Sequence, residues 1–255
     1  MQFIDTHSHL YDEAFADGMD LAVERAVQEG VTGIILPDID SSSRKQMFDL
    51  AHRHPGRLYP CLGLHPTSID MDWMTELEKL DEFKNEPIVA IGEIGIDCYW
   101  SKEFLEQQKE AFRIQLKMAH DRDLPVIIHS RESTEIILDI LKECRNLSLR
   151  GVFHAYSGSK ETYRELQKSG DWHVGIGGVL TFKKASIAET VKDIPLERIV
   201  LETDSPYLTP VPFRGKRNES AYIPHIAAKL AEIKGIDILE AAQQTTLNAK
   251  SLFKI

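Results

Sequence analysis

The chain is expected to fold as an α/β protein, a (β/α)8 TIM barrel, on three observations. Eight short apolar runs rich in Ile, Val and Leu recur along it, as parallel strands buried on both faces require. Segments with apolar residues at three-to-four spacing separate the runs. Polar residues of metal-ligating type stand at the ends of many runs, and only closure of the sheet makes all those ends converge. A doubly wound open sheet is the competing architecture.

The elements follow in order. Phe3–Asp5 is the first strand and runs directly into His7 and His9. Helix Met19–Glu29 then leads to strand Gly33–Leu36, and helix Ser42–His52 to strand Leu58–Leu62. Helix Trp73–Lys84 precedes strand Ile88–Ile91, whose end is marked by the glycines of Gly92–Glu93–Ile94–Gly95. Phe104–Arg122, helical by its three-to-four apolar spacing, precedes strand Val126–Ile128. Helix Thr134–Cys144, strand Gly151–Phe153, helix Lys160–Lys168, strand His173–Gly177, helix Ile187–Lys192 and strand Ile199–Leu201 continue the alternation. Thr203–Tyr222 is irregular, with Pro206, Pro210, Pro212 and Gly215; a loop that long in a compact fold is often functional. Helices Ile223–Lys234 and Leu239–Leu252 close the chain.

Length and composition agree. The 255 residues, 42% of them hydrophobic, suffice for one barrel domain spanning residues 1–255. A net charge of −10 argues against a uniformly basic coat for nucleic acid but leaves room for a local phosphate site. Cys61, Cys98 and Cys144 are too few and too scattered for a disulfide framework and suggest a reducing compartment. No run approaches the about 18 apolar residues of a membrane span, and the N-terminus is already a strand. A cytoplasmic protein is expected.

The strand ends carry the chemistry. Side chains alternate along a strand, so His7 and His9 face the same way and form a clamp for a divalent metal. Val126–Ile127–Ile128–His129 and Gly151–Val152–Phe153–His154 each end an apolar strand in histidine, and the last strand leads to Asp204. Glu93 follows the fourth strand, and its two oxygens suit a bridge between two cations. Of the ten histidines, His52, His54, His120 and His225 sit in or beside helical patterns and are expected at the surface or in packing, and His173 begins a strand. The expected ligand set is His7, His9, Glu93, His129, His154 and Asp204. Six groups are too many for one tetrahedral ion, so two divalent ions are expected, with Mg²⁺, Mn²⁺ or Zn²⁺ suited to imidazole and carboxylate donors.

These motifs resemble those of the TatD family of metal-dependent deoxyribonucleases, within the amidohydrolase-like barrels. The resemblance rests on Asp5–Thr6–His7–Ser8–His9, Gly63–Leu64–His65–Pro66, Gly92–Glu93–Ile94–Gly95–Ile96–Asp97 and His129–Ser130–Arg131. It continues through His154–Ala155–Tyr156–Ser157–Gly158, Leu201–Glu202–Thr203–Asp204–Ser205–Pro206 and Arg214–Gly215–Lys216–Arg217–Asn218–Glu219, covering essentially the whole chain in order. It implies a barrel that hydrolyses phosphodiester bonds of DNA, typically from the 3′ end, with the same six residues as ligands and His65 near the substrate phosphate. Ala155 stands where the family often has cysteine, Cys98 where it often has tyrosine, and Ser220 where it often has proline.

On this reading Asp204 and Glu93 are the catalytic carboxylates, Asp204 orienting or deprotonating the attacking water. His65 and Arg131 are the candidate phosphate contacts. Arg214, Lys216 and Arg217 form a basic cluster that suits a nucleic-acid backbone, with single-stranded DNA the expected partner. Tyr99, Trp100, Tyr156 and Tyr207 follow strand ends, where aromatic rings can stack bases. The alternative function is an amidohydrolase-type enzyme acting on a small amide, lactone or phosphoester. No lysine ends a strand between Glu93 and His129 to serve as a carbamylated metal bridge, which favours the nuclease.

Overall fold

Eight strands form, the number expected, in two parallel sheets that keep chain order. The computed structural model describes residues 1–255. β1 (Phe3–Asp5), β2 (Val31–Leu36) and β3 (Leu58–Pro60) make one sheet. β4 (Ile91–Asp97), β5 (Val126–Arg131), β6 (Arg150–Phe153), β7 (Asp171–Ile176) and β8 (Ile199–Leu201) make the other. One helix follows each of the first seven strands: α1 (Met19–Gln28), α2 (Ser41–Arg53), α3 (Trp73–Glu78), α4 (Leu105–Asp121), α5 (Thr134–Glu143), α6 (Lys160–Leu166) and α7 (Ile187–Asp193). α8 (Ile223–Lys234) and α9 (Ile238–Phe253) follow β8. No helix is long and apolar enough to cross a membrane.

The ladder is not one closed sheet. Two seams separate the sheets, and main-chain hydrogen bonds cross both. At the first, Leu62 and Ile91 form an isolated bridge and Gly92 N donates to Leu62 O at 3.0 Å. At the second, Ser8 bridges Ser205, and Thr6 N donates to Leu201 O at 2.9 Å. Asp5, fully buried, binds this seam: Oδ1 accepts from Thr203 N at 2.9 Å and Oδ2 from Thr203 Oγ1 at 2.6 Å.

Strand alternation sorts the core into two layers. Ile34 and Leu36, Val126 and Ile128, Ile199 and Leu201 belong to a cluster of 49 residues shared with the helices. The intervening Ile35, Ile127 and Val200 join Ile4, Cys61, Ala90 and Val152 in a second cluster. Ala249, Leu252 and Phe253 of α9 pack into that second cluster. Asp237 starts α9 by accepting from Leu239 N, at 2.7 Å. The positions two beyond Ile127, Val152 and Val200 are His129, His154 and Glu202, so the same face turns from apolar to ionisable within one repeat of the pleat.

Several boundaries differ from expectation. β4 begins where the expected strand Ile88–Ile91 ends, and it runs through the glycines to Asp97. Those glycines serve close approach rather than a turn: a Cβ on Gly95, at φ +144°, would lie 2.0 Å from His129 O. Glu93 therefore sits inside β4, and His129 inside β5, not after them. The expected helix Trp73–Lys84 is α3 followed by a 3-10 turn, Lys79–Phe83.

Leu252→Ala removes a buried side chain from the small inner cluster. It is expected to lower the unfolding free energy by about 3 kcal/mol, read from the midpoint of urea unfolding at constant slope.

Candidate metal centre

The six residues singled out in the sequence converge at one end of the strands. Glu93 is the centre of the group, 2% exposed. Its Oε2 lies 3.0 Å from His7 Nε2 and 3.6 Å from His9 Nε2. Its Oε1 lies 2.8 Å from His129 Nδ1, 2.9 Å from His154 Nε2 and 3.3 Å from His65 Nε2. One carboxylate thus offers one oxygen to each of two histidine sets. Asp204 Oδ1 stands on the first side, 3.8 Å from both His7 Nε2 and His9 Nε2. The ring of His7 stacks on that of His154 at 3.9 Å between centroids, which joins the two sides.

Hydrogen bonds outside the group set which ring nitrogen faces in. The Tyr11 hydroxyl donates its one proton to Pro37 O, so it accepts from His9 Nδ1, at 3.0 Å. The lone pair of His9 is therefore on Nε2, toward His7 and Glu93. His129 Nε2 donates to Asp97 Oδ2 at 2.9 Å and leaves Nδ1 facing Glu93. Carboxylate-oriented histidine is the usual support of a metal ligand. His65 is held the other way: its Nδ1 accepts from Thr67 N at 3.1 Å, so Nε2 carries the proton. His65 points a donor, not a lone pair, at Glu93 Oε1.

The loops under the group are clamped from α4. Gln108 accepts from Asp97 N at 2.9 Å and donates to Asp97 O at 3.2 Å. Gln115 does the same for Leu64, beside His65, at 2.7 and 3.2 Å. The buried pair Asp38–Arg44, at 2.6 Å, completes the floor: Asp38 Oδ2 also accepts from Gly63 N at 3.1 Å, and Glu93 N donates to Asp38 O at 3.0 Å.

The electrostatics favour a cation. Burial holds His7 well below its usual range and His9 down to about 4, so both are neutral at physiological pH. Burial opposes ionisation of Glu93, but the surrounding imidazoles, His154 first, outweigh it and hold the carboxyl well below the usual range. Burial also opposes protonation of His154, yet Glu93 and Glu202 hold it well above. Burial pushes Asp204 up to about 7. His7 Nε2 and His9 Nε2 lie only 3.1 Å apart, and His7 Nδ1, His154 Nδ1 and Glu202 Oε2 are buried without a partner. Such a set of close, unpaired nitrogen and carboxylate donors fits a divalent cation.

The expected substrate contacts are spread round this centre. Arg131 ends β5 with its guanidinium 3.7 Å from the ring centre of Tyr99 and 5.4 Å from that of Trp100. Those rings are 50% and 71% exposed, so the three make an open platform. Arg214 lies over Phe182 at 4.1 Å. Arg217 is placed elsewhere: it pairs with Asp17 at 3.0 Å and covers Phe15, which ties the long loop to the turn before α1. Tyr156 is buried and donates to Ser159 O at 2.7 Å, unlike the exposed Tyr207. Tyr11, Asp97 and Glu202 join the site without having been expected from the sequence. Glu202 donates nothing but accepts from Ala155 N at 2.5 Å and approaches His154 Nδ1 at 3.7 Å. Its signal was the two-residue step Val200–Glu202–Asp204.

Parallel strands that gather histidines and carboxylates at their ends are the frame of a metal-dependent hydrolase. The chain belongs to the TatD related DNase family, whose model matches residues 4–254. It is 39% identical to the metal-dependent hydrolase YabD of Bacillus subtilis over 98% of both chains. It is 33% identical to the 3′-5′ ssDNA/RNA exonuclease TatD of Erwinia tasmaniensis, covering 98% of this chain and 99% of that one. The crystal structure of YjjV, a TatD homologue from Escherichia coli, superposes with a TM-score of 0.89 at 30% identity, covering 99% of this chain and 98% of that one.

Tyr11→Phe removes only the hydroxyl that orients His9. It is expected to leave the fold intact and weaken divalent-metal affinity about tenfold, measured by calorimetric titration. Unchanged affinity would show that His9 needs no such support.

Proposed function

We propose that this hydrolase cleaves phosphodiester bonds of single-stranded DNA, removing nucleotides from the 3′ end. The observation that carries the reading is the division of Glu93 between two histidine sets, which suits two divalent cations, Mg²⁺, Mn²⁺ or Zn²⁺. His7, His9, Glu93 and Asp204 would hold one, and His129 and His154 with Glu93 the other. Such a pair supplies an acidified water and charge neutralisation at both the attacking and the leaving oxygen.

The remaining chemistry falls to the chain. Asp204 lines the open side of the centre and takes the proton of the attacking water. His65, with Nε2–H facing the centre, donates to a phosphate oxygen. Arg131 and Arg214 are exposed enough to hold the flanking backbone, each steadied by an aromatic ring. Arg217 is left out of this role, since Asp17 takes up its charge. The exonuclease named TatD in Erwinia tasmaniensis, similar over nearly its whole length, supports the substrate class. The negative overall charge restricts nucleic-acid attraction to these local cations.

The test is hydrolysis of a 5′-labelled single-stranded oligonucleotide with each divalent metal in turn. Stepwise shortening from the 3′ end is expected, abolished by chelator and by His129→Ala. Asp204→Asn, isosteric and unable to take the proton, is expected to lower kcat at least 100-fold, at the lower edge of general-base contributions of about 10²–10⁴. A folded, metal-loaded protein that cuts no oligonucleotide, yet hydrolyses a small ester or lactone, would refute the reading.

A further inference from the structure

Beside the metal centre lies a cavity of 360 Å³ to which the chemistry above gives no role. Three successive strand ends wall it: Ala155–Ser157 after β6, the segment from Ile176 to Ile187 at β7, and Glu202 to Leu208 after β8. We propose that this cavity receives the nucleobase of the nucleotide whose phosphodiester bond is cut. The proposal rests on the nuclease reading and adds the element that selects its substrate.

Position is the first argument. Asp204 belongs both to the metal centre and to the cavity wall, so an occupant lies next to the reacting phosphate. Size is the second. The volume falls at the small end of the about 300–1,000 Å³ range of small-ligand pockets, enough for a base and its sugar and too little for a duplex. The lining is the third. Val179, Leu180, Phe182 and Ile187 give apolar walls, and Ser157, Lys184 and Ser186 add a few polar groups. Apolar walls accept the face of any base, so little sequence preference follows.

Charge at the rim is the fourth argument. Arg214 lies over Phe182 at 4.1 Å, which sets a cation against a ring that walls the cavity. Lys184 is exposed on the same segment. A flat apolar ring joined to an anionic group matches this combination of apolar slot and flanking cations. A base in a duplex reaches such a slot only after leaving its stack, which costs a few kcal/mol. The cavity therefore favours single strands and frayed ends.

The test reads binding separately from catalysis. Thymidine and deoxyadenosine 5′-monophosphates and 2-deoxyribose 5-phosphate, none of which has a phosphodiester bond to cut, are titrated calorimetrically into the Mn²⁺-loaded protein. Both nucleotides are expected to bind at least tenfold more tightly than the sugar phosphate. Val179→Trp, which fills the slot, is expected to erase that difference. Ser186→Trp, at an exposed position on the rim, does the same without disturbing the core. Equal affinity for all three ligands in the unaltered protein would overturn the base site, as would a preference untouched in both folded variants. A nucleotide preference in a protein that cuts no oligonucleotide would uphold the base site and refute the nuclease reading.

Discussion

A single buried carboxylate, Glu93, organises this molecule. An ionised carboxylate in an apolar interior is costly unless charges and donors surround it. Here five imidazoles lie around it, His7 and His9 by one oxygen and His65, His129 and His154 by the other. Protonated His154 and the Nε2–H of His65 supply charge and donor, while His9 and His129 keep lone pairs for a metal. The arrangement is electrostatically one-sided: His7 and His9 are held neutral while His154 is held protonated. Protons on that side stand in for part of the positive charge that Glu93, Asp204 and Glu202 call for. That is the physical sense in which the centre is built for cations.

The strand ladder yields where the centre is built. Both breaks between the two sheets run through it: one at Leu62 and Ile91, just before Glu93, the other at Ser8 and Ser205, between His7, His9 and Asp204. Regular pairing would commit these main-chain groups to their neighbours. At the seams they instead turn side chains toward a common point, and Asp5, Asp38 and Gln115 restore the lost hydrogen bonds from the side. Rigidity comes from those buried polar clamps, and α9 packs the apolar layer beneath. A site made this way is pre-organised before any ligand arrives.

Much of this was legible in the residues. Apolar runs that end in His129 and His154 marked those residues as strand ends, and period-two alternation placed His7 and His9 on one face. Glycine misled: Gly92 and Gly95 read as the end of a strand, whereas β4 continues through them because β5 lies too close for a side chain. Tyr11, Asp97 and Gln108 could not be read, since their roles depend on partners brought near only by folding, Pro37 for Tyr11 and His129 for Asp97. Arg217 shows the opposite limit. A cluster of basic residues in a loop gave the same signal for Arg214 and Arg217, and only the fold separates the one over Phe182 from the one paired with Asp17.

The most direct measurement is the number of divalent cations bound by the protein and by Glu93→Gln, read by calorimetric titration with Mn²⁺. If Glu93 joins two sites, the unaltered protein binds two ions and the amide weakens both together, while His129→Ala weakens one alone. A single site, or two sites of which Glu93→Gln disturbs only one, would contradict the account.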